Sequence, residues 1–244
     1  MSASTYIYRD FADNGTGLIT CSFWVKRAEL GRVQTILCPT LQSETRFGIL
    51  QFDVNDRLRF TDEVASVQMQ YVTNRVFRDT SNWYHILINI NVPLSTASDR
   101  QQIWVNGVRE TSFSTSTNYP TAETCAWTSN PQFRISRGTA SNNNEAFSGI
   151  LSELFVIQGY ALTPSTFTET DATTGELKAK SPTGLVYSSN GTNSFYMKFE
   201  NSSNMDLDSG GNSTTWTTSG NLTQTQDCPS DVFATWNANL RPNS

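Results

Sequence analysis

The stretch that decides the fold is WYHILININ, residues 83–91. Aromatic and β-branched side chains occupy every second position of this stretch, namely Tyr84, Ile86, Ile88 and Ile90. Because successive side chains of a strand point to opposite faces of a sheet, this alternation predicts a strand with one face turned toward a core. We therefore expect residues 83–91 to form a core strand.

Short apolar runs rich in Val, Ile, Phe and Trp recur along the chain, and turn residues separate them. They predict further strands at residues 18–26, 35–38, 46–52, 57–60, 66–77, 101–105, 108–113, 132–137 and 147–158. Asn106-Gly107 is a two-residue hairpin signal. Helix signals are scarce. The clearest is Thr163 followed by Pro164, which predicts one short helix near 163–168.

The amino-acid composition changes near residue 172, where Ser, Thr, Asn and Gly begin to dominate. We expect a sandwich core over residues 1–172 and a Ser/Thr/Asn-rich segment over residues 173–244. This segment is expected to add one strand at 194–199 (SFYMKF) and to continue as an extended tail. The tail is expected to pack on the core or on a neighbouring subunit.

Few of the 244 residues are charged: the charged fraction is 16%, the net charge is -5 and the pI is near 4.9. Phosphate binding needs a basic patch, so these values argue against nucleic acid as a partner. No apolar stretch reaches the ~20 residues of a membrane span, and we expect no membrane insertion. The first residues, MSASTY, lack the basic and apolar regions of a signal peptide, which predicts folding in the cytoplasm.

The four cysteines, Cys21, Cys38, Cys125 and Cys228, are widely spaced. A zinc site is disfavoured because His85 is the only histidine available to complete it. Free thiols are the default in a reducing cytoplasm. The alternative is a disulfide between Cys21 and Cys38, which requires their strands to be adjacent.

Five segments, taken in order, resemble a known superfamily. They are SFWVKR (22–27), WYHI (83–86), IWVNG (103–107), FRISR (133–137) and FSGILSELFV (147–156), the last followed by ALTP (161–164). Together they look like the concanavalin A-like lectin/glucanase superfamily in its laminin-G-like branch, over about residues 18–170. The resemblance implies an all-β, antiparallel jelly-roll β-sandwich, with the short helix near 163–168 and the extended C-terminal tail added to it.

A narrower resemblance concerns ALTPS (161–165) and FYMKF (195–199). These runs are similar to domains of tailed bacteriophages, many of them marine, that occur as tail-fibre, baseplate or capsid-surface proteins. The resemblance implies a virion structural protein that binds other virion proteins and itself, as a homotrimer, and attaches to host surface polysaccharide. The alternative is a stand-alone carbohydrate-binding lectin or adhesin. Fold analogy alone does not decide between them.

Catalysis is disfavoured by the distribution of acidic residues. Glucanases of this superfamily carry their acids at alternating positions of one strand, and a retaining glycosidase needs two carboxylates about 5–5.5 Å apart. Glu153 is the only acid of its predicted strand, which favours a structural carboxylate bonded to a backbone amide or an arginine. His85 is expected to be a packed histidine. We therefore expect no catalytic residue, and a glycan hydrolase is the third and weakest hypothesis.

Loops that carry aromatic residues among amides are the candidate sugar site. An aromatic face can cover the C–H side of a pyranose while amides pair with its hydroxyl groups. The candidates are Tyr119, Trp127, Asn130, Asn142, Asn143 and Asn144. The alternative for Trp127 is a place in the core or at a subunit contact.

A calcium site is the one cofactor that the sequence suggests. Residues 206–212 read D-x-D-x-G-x-N, so Asp206, Asp208 and Asn212 could bring oxygen ligands together. Laminin-G-like domains often hold calcium at the rim of the sandwich. The run lacks the acidic residue that closes an EF-hand loop, and its alternative is a polar turn.

Overall fold

The structure, a computed structural model, describes residues 5–11, 17–41, 45–120, 125–129, 132–139, 145–180, 184–185, 193–210 and 214–229. The predicted core strand forms as β7 (Tyr84–Asn91). It pairs antiparallel with β2 (Leu18–Arg27) on one side and with β8 (Gln101–Val105) on the other. Ile86, Ile88 and Ile90 are fully buried, as their alternation predicts.

Two antiparallel sheets face each other and confirm the sandwich. The six-stranded sheet has the order β15 (Phe195–Met197), β12 (Gly149–Gln158), β2, β7, β8, β9 (Val108–Arg109). The eight-stranded sheet has the order β10 (Phe113–Thr117), β6 (Ser66–Val76), β5 (Arg57–Val64), β4 (Arg46–Phe52), β3 (Gln34–Thr40), β11 (Gln132–Ile135), β1 (Tyr6–Asp10), β16 (Thr217–Ser219). A separate hairpin joins β13 (Thr168–Thr170) to β14 (Leu177–Ala179).

The core lies between the two sheets and is rich in aromatic rings. A second apolar cluster lies on the outer face of the six-stranded sheet, around Leu87, Phe155, Ile157, Phe167 and Tyr196. The rings of Phe155 and Tyr196 stack there with centroids 3.9 Å apart. Leu162 and Leu185 pack against this cluster, so the chain that follows β12 covers that face.

Besides a 3-10 turn at Ala97–Asp99, two short helical segments occur in the described residues. The predicted one is a single 3-10 turn, Pro164–Thr166, and the Thr163 side chain makes no capping hydrogen bond to it. The other, α1 (Ala126–Ser129), was not expected. The Asp62 carboxylate of β5 accepts a 2.8 Å hydrogen bond from the Ala126 N–H. Asp62 is distant in sequence and accepts an N–H group that a local capping residue would otherwise accept. The sequence next to α1 therefore contains no capping signal.

The chain after residue 172 adds strands to both sheets. The strand predicted at 194–199 forms as β15 and pairs with β12, whereas β16 pairs with β1 of the other sheet. Residues 230–244, the end of the predicted tail, lie outside the described residues.

None of the four cysteines forms a disulfide, and Cys21 and Cys38 lie on strands of different sheets. No helix within the described ranges is long and apolar enough to cross a membrane.

Candidate functional site

A cleft of about 550 Å³ opens along one side of the sandwich, a volume within the ordinary range of ligand sites. Residues 149–153 of β12 form one wall together with residues 198–200, which follow β15. The start of β1 and the end of β11 form the second wall, and residues 221–228 form the outer wall. The cleft thus lies where strands from both sheets meet.

The cleft exists because β15 is short. β15 pairs only with Leu154, Phe155 and Val156 of β12. Over Gly149–Ser152, β12 keeps its β2 partner on one side, but no described strand pairs with its other edge. A strand edge of this kind offers N–H and C=O groups that no strand ladder pairs, and residues 149–152 line the cleft.

Three residues of the cleft hold backbone conformations that side chains rarely adopt. Ser136, Glu153 and Phe199 have φ values of 66°, 51° and 60°. Such conformations cost on the order of 1–3 kcal/mol each and often mark functional sites. Glu153 lies in a β-bulge, where the register of β12 against β2 shifts between Ser152 and Phe155. The bulge turns an acidic side chain out of the ladder and into the cleft.

Glu153 is the partly buried acid of this site. The Tyr196 hydroxyl donates a hydrogen bond to its Oε2. Burial raises the pKa of Glu153 above its ordinary value, while this hydrogen bond and the nearby Lys198 act to lower it. The expectation of a backbone amide or an arginine as the partner of Glu153 is therefore wrong. The partner is instead the Tyr196 phenol of the neighbouring strand β15, and only the strand order of the sheet reveals this contact.

The outer wall is attached at three points. Asn221 exchanges hydrogen bonds of 3.2 and 3.3 Å with the Thr5 hydroxyl, and the Gln224 amide donates one of 2.7 Å to the Glu200 carbonyl. Asp227 forms a 2.7 Å ion pair with Lys26 and accepts a 2.9 Å hydrogen bond from the Trp83 indole. The Lys26 ammonium, above all, lowers the pKa of Asp227.

Aromatic side chains supply the apolar part of the cleft. Tyr6, Phe147 and Phe199 line it and are each partly exposed. Gly149 makes room for one of them, because a Cβ at this position would lie 2.5 Å from the Phe147 ring and 2.2 Å from the Lys26 carbonyl oxygen. The Arg137 guanidinium lies 4.3 Å from the centre of the Tyr6 ring and holds that ring in place.

The predicted sugar-binding aromatics are instead core residues. Tyr119 and Trp127 are each 1% exposed. The Tyr119 hydroxyl donates to Asp62, and the Trp127 indole donates a 3.1 Å hydrogen bond to the Thr61 carbonyl. Neither ring has a face free for a sugar, so this prediction is wrong, and the alternative of a core Trp127 is confirmed. Asn130, Asn142, Asn143 and Asn144 lie outside the described residues.

The predicted calcium ligands have structural partners. Oδ1 of Asp208 accepts hydrogen bonds from the amides of Tyr196 and Gly210, at 3.0 and 2.8 Å, and its Oδ2 accepts one from Thr214. Asp206 accepts one from Thr218. Both oxygens of Asp208 thus have hydrogen-bond partners within the protein, and a calcium role for Asp208 stays a prediction. Within the described residues no cluster of three His, Cys, Asp or Glu side chains could hold a metal ion, and Asn212 lies outside them.

His85 is the packed histidine that the sequence predicts. It is fully buried, its Nε2 lies 2.9 Å from the Ser22 hydroxyl, and its ring lies 5.1 Å from that of Trp24. Burial lowers the pKa of His85 to about 3. Its Nδ1 has no hydrogen-bond partner in the part of the chain that the structure describes. The carboxylate that orients the histidine of a catalytic triad is thus missing from this pair.

Comparison with solved structures finds several similar proteins. A proposed carbohydrate-binding protein from Bacteroides ovatus is 16% identical, with a TM-score of 0.56, over 96% of this chain and 63% of that one. Domains LG4-5 of the mouse laminin alpha1 chain are 10% identical, with a TM-score of 0.48, over 64% of this chain and 40% of that one. At these identities the likeness concerns the fold alone.

Comparison with curated proteins finds no match. Residues 2–167 match the family model of the concanavalin A-like lectin/glucanases superfamily, of laminin G type. This match spans more than half of the chain and includes the two strands, β2 and β7, at the centre of the six-stranded sheet. The chain belongs to the concanavalin A-like lectin/glucanase superfamily, in its laminin-G-like branch.

Proposed function

We propose that this chain is a non-catalytic glycan-binding protein and that the cleft beside β12 is its saccharide site. The observation that carries the proposal is the composition of the cleft. Partly exposed aromatic rings stand beside a carboxylate with a raised pKa and an unpaired strand edge, in a volume of about 550 Å³. The fold, which a proposed carbohydrate-binding protein from Bacteroides ovatus shares, adds support.

The groups of the cleft match the two sides of a sugar ring. The faces of Tyr6 and Phe199 can cover the apolar C–H side of a pyranose. Glu153, the Gln226 side chain and the free edge of β12 can pair with its hydroxyl groups. Most of these contacts are made by neutral groups, which agrees with a chain in which only 16% of residues are charged.

The absence of catalysis is part of the proposal, and the state of the other cleft acids supports it. A glycosidase needs a second carboxylate free to act as nucleophile or base. Asp227 is held by Lys26 and Trp83, and Glu200 lies 3.6 Å from the Lys198 ammonium. Glu153 thus has no uncommitted acidic partner among the described residues that line the cleft.

Two tyrosines of one strand provide the test. Tyr6 and Tyr8 stack with centroids 5.9 Å apart and point to the same face of β1, but Tyr6 alone of the two lines the cleft. A glycan array identifies the ligand, and calorimetry then measures its affinity. We expect Tyr6→Ala to weaken binding at least tenfold and Tyr8→Ala to leave it within twofold. Equal losses, or an array without any bound glycan, would contradict the proposal.

We propose, as a finer assignment, that the protein works on a bacteriophage particle as a tail-fibre, baseplate or capsid-decoration component. The support is the resemblance of residues 161–165 and 195–199 to phage domains; the first run overlaps the Pro164–Thr166 turn and the second includes β15. Light scattering should give the mass of a trimer, and mass spectrometry of purified particles should detect the chain. A monomer absent from particles would favour the stand-alone lectin instead.

A further inference from the structure

The charges that line the cleft are unequal. Three acids, Glu153, Glu200 and Asp227, face one base, Lys198. Lys198 lies 3.6 Å from Glu200, and Asp227 is neutralised from outside the cleft by Lys26 at 2.7 Å. Glu153 makes no ion pair within 4.0 Å among the described residues. The negative charge that remains unpaired in the cleft is therefore that of Glu153.

One oxygen of Glu153 is free for a ligand. The Tyr196 hydroxyl donates to Oε2, and no described residue forms a hydrogen bond with Oε1. The phenol fixes the carboxylate from one side, because Tyr196 is itself 5% exposed and stacks on Phe155. The carboxylate is thus oriented in advance, and a ligand that reaches Oε1 needs little rearrangement of the protein.

The surroundings of Oε1 favour a cation over an anion. A charge-assisted hydrogen bond from an ammonium group to a carboxylate is about twice as strong as a neutral one. The partial burial that raises the pKa of Glu153 also reduces the screening of such a pair. Phe199, with Tyr6 on the opposite wall, adds an aromatic surface on which a sugar ring can stack.

We infer that the cleft selects saccharides that carry a free amino group, with the ammonium bound at Oε1 of Glu153, and disfavours acidic saccharides. This inference rests on the proposed function, namely that the cleft binds saccharides. It makes Glu153 a specificity-determining residue. The neutral contacts on the ring then come from the aromatic walls and from the edge of β12.

The test compares disaccharides of different charge. A β-1,4-linked glucosamine disaccharide, its N-acetylated counterpart and a uronic-acid disaccharide are titrated into the full chain near pH 6.5, where an amino group of pKa about 7.7–8.0 is mostly protonated. We expect at least tenfold tighter binding of the glucosamine disaccharide than of the N-acetylated one, and no measurable binding of the acidic one.

Glu153→Gln separates the inference from the proposed function, because the amide oxygen can still accept the Tyr196 hydroxyl. We expect the preference for the amino sugar to fall to about one, while the N-acetylated disaccharide keeps its affinity. Glu169→Gln, an exposed acid of β13 outside the cleft, is the matched control and should change neither value. Equal affinities in the wild type, or a preference that survives Glu153→Gln, would overturn this inference alone. Binding of none of the three would overturn the proposed function with it.

Discussion

The hydroxyl of Tyr119 donates a 2.6 Å hydrogen bond to Oδ2 of Asp62 in the interior of the sandwich. The same oxygen accepts the Ala126 N–H, so one carboxylate joins β5 to the chain around α1. Asp62 is fully buried, and burial raises its pKa to about 6 although both hydrogen bonds act to lower it. Tyr119, which the sequence suggests as a sugar-binding residue, is thus a residue of the core that stabilises this contact.

The raised pKa of Asp62 predicts a loss of stability as the pH rises. The native state holds the proton more tightly than the unfolded chain, whose Asp titrates near 3.8. The stabilisation is therefore complete below about pH 4 and is lost by about pH 6, with a magnitude on the order of 3 kcal/mol. Urea unfolding of Asp62→Asn should lack this decline. Parallel pH profiles for wild type and variant would show the assignment to be wrong.

The lowered pKa of His85 predicts the opposite dependence of stability on pH. Its native pKa of about 3 lies below the 6.5 of an unfolded histidine. The native state therefore disfavours the proton, and stability is lost as the pH falls from about 6.5 toward 3, by on the order of 5 kcal/mol. His85→Gln, whose amide can still bond to Ser22, should lose less on acidification. Ser22→Ala, which keeps the imidazole, should retain the wild-type slope; if the two variants behave alike, burial of His85 is not the cause.

Trp127 predicts a change in stability without a change in ligand affinity. Its ring packs edge-on against Phe60, with centroids 5.2 Å apart, and lies so close to Gly48 that a Cβ there would be 2.3 Å from Nε1. Trp127→Ala should reduce the free energy of unfolding by about 3–5 kcal/mol. The milder Trp127→Phe should fold and bind saccharide within twofold of wild type. A large loss of affinity in this folded variant would restore Trp127 as a binding residue.

Because Asp227 attaches residues 221–228 to Lys26 and Trp83, its substitution is predicted to affect that segment locally. Its ion pair with Lys26 is partly exposed, and such pairs contribute no more than about 1 kcal/mol. Asp227→Ala should therefore leave global stability nearly unchanged while it releases residues 221–228 from Lys26 and Trp83. Hydrogen exchange should quicken in this segment and saccharide affinity should fall. Asp171→Ala, in the hairpin between β13 and β14, is the control; unchanged exchange at 221–228 would mean that Asp227 does not hold the wall.

The periodic part of the fold could be predicted from the sequence, and the contacts between distant segments could not. Ile86, Ile88 and Ile90 form the core face of β7 because alternation is a local property. Nothing near Trp127 in the sequence reveals that β5, 66 residues earlier, offers Thr61 as a partner for its indole. The polar residues that flank Tyr119 and Trp127 in the sequence therefore made these two buried rings look like a sugar-binding site.

The cleft could not be predicted from the sequence for the same reason. It brings together residues near 6, 150, 199 and 224, and their meeting depends on the short length of β15. One local signal did point to it, since Glu153 stands out as the single acid of an apolar strand. Its φ of 51° and its partner Tyr196 became visible only with the strand pairing.

The most direct test of the saccharide cleft is the map of amide NMR shifts during titration with a bound oligosaccharide. The account predicts that the largest changes fall on residues 149–153, 198–200 and 221–228. The competing surface is the outer face of the eight-stranded sheet, where the pairing of β5 and β6 places the partly exposed Arg59 and Gln70. Changes confined to that face, with the cleft residues unmoved, would contradict the account.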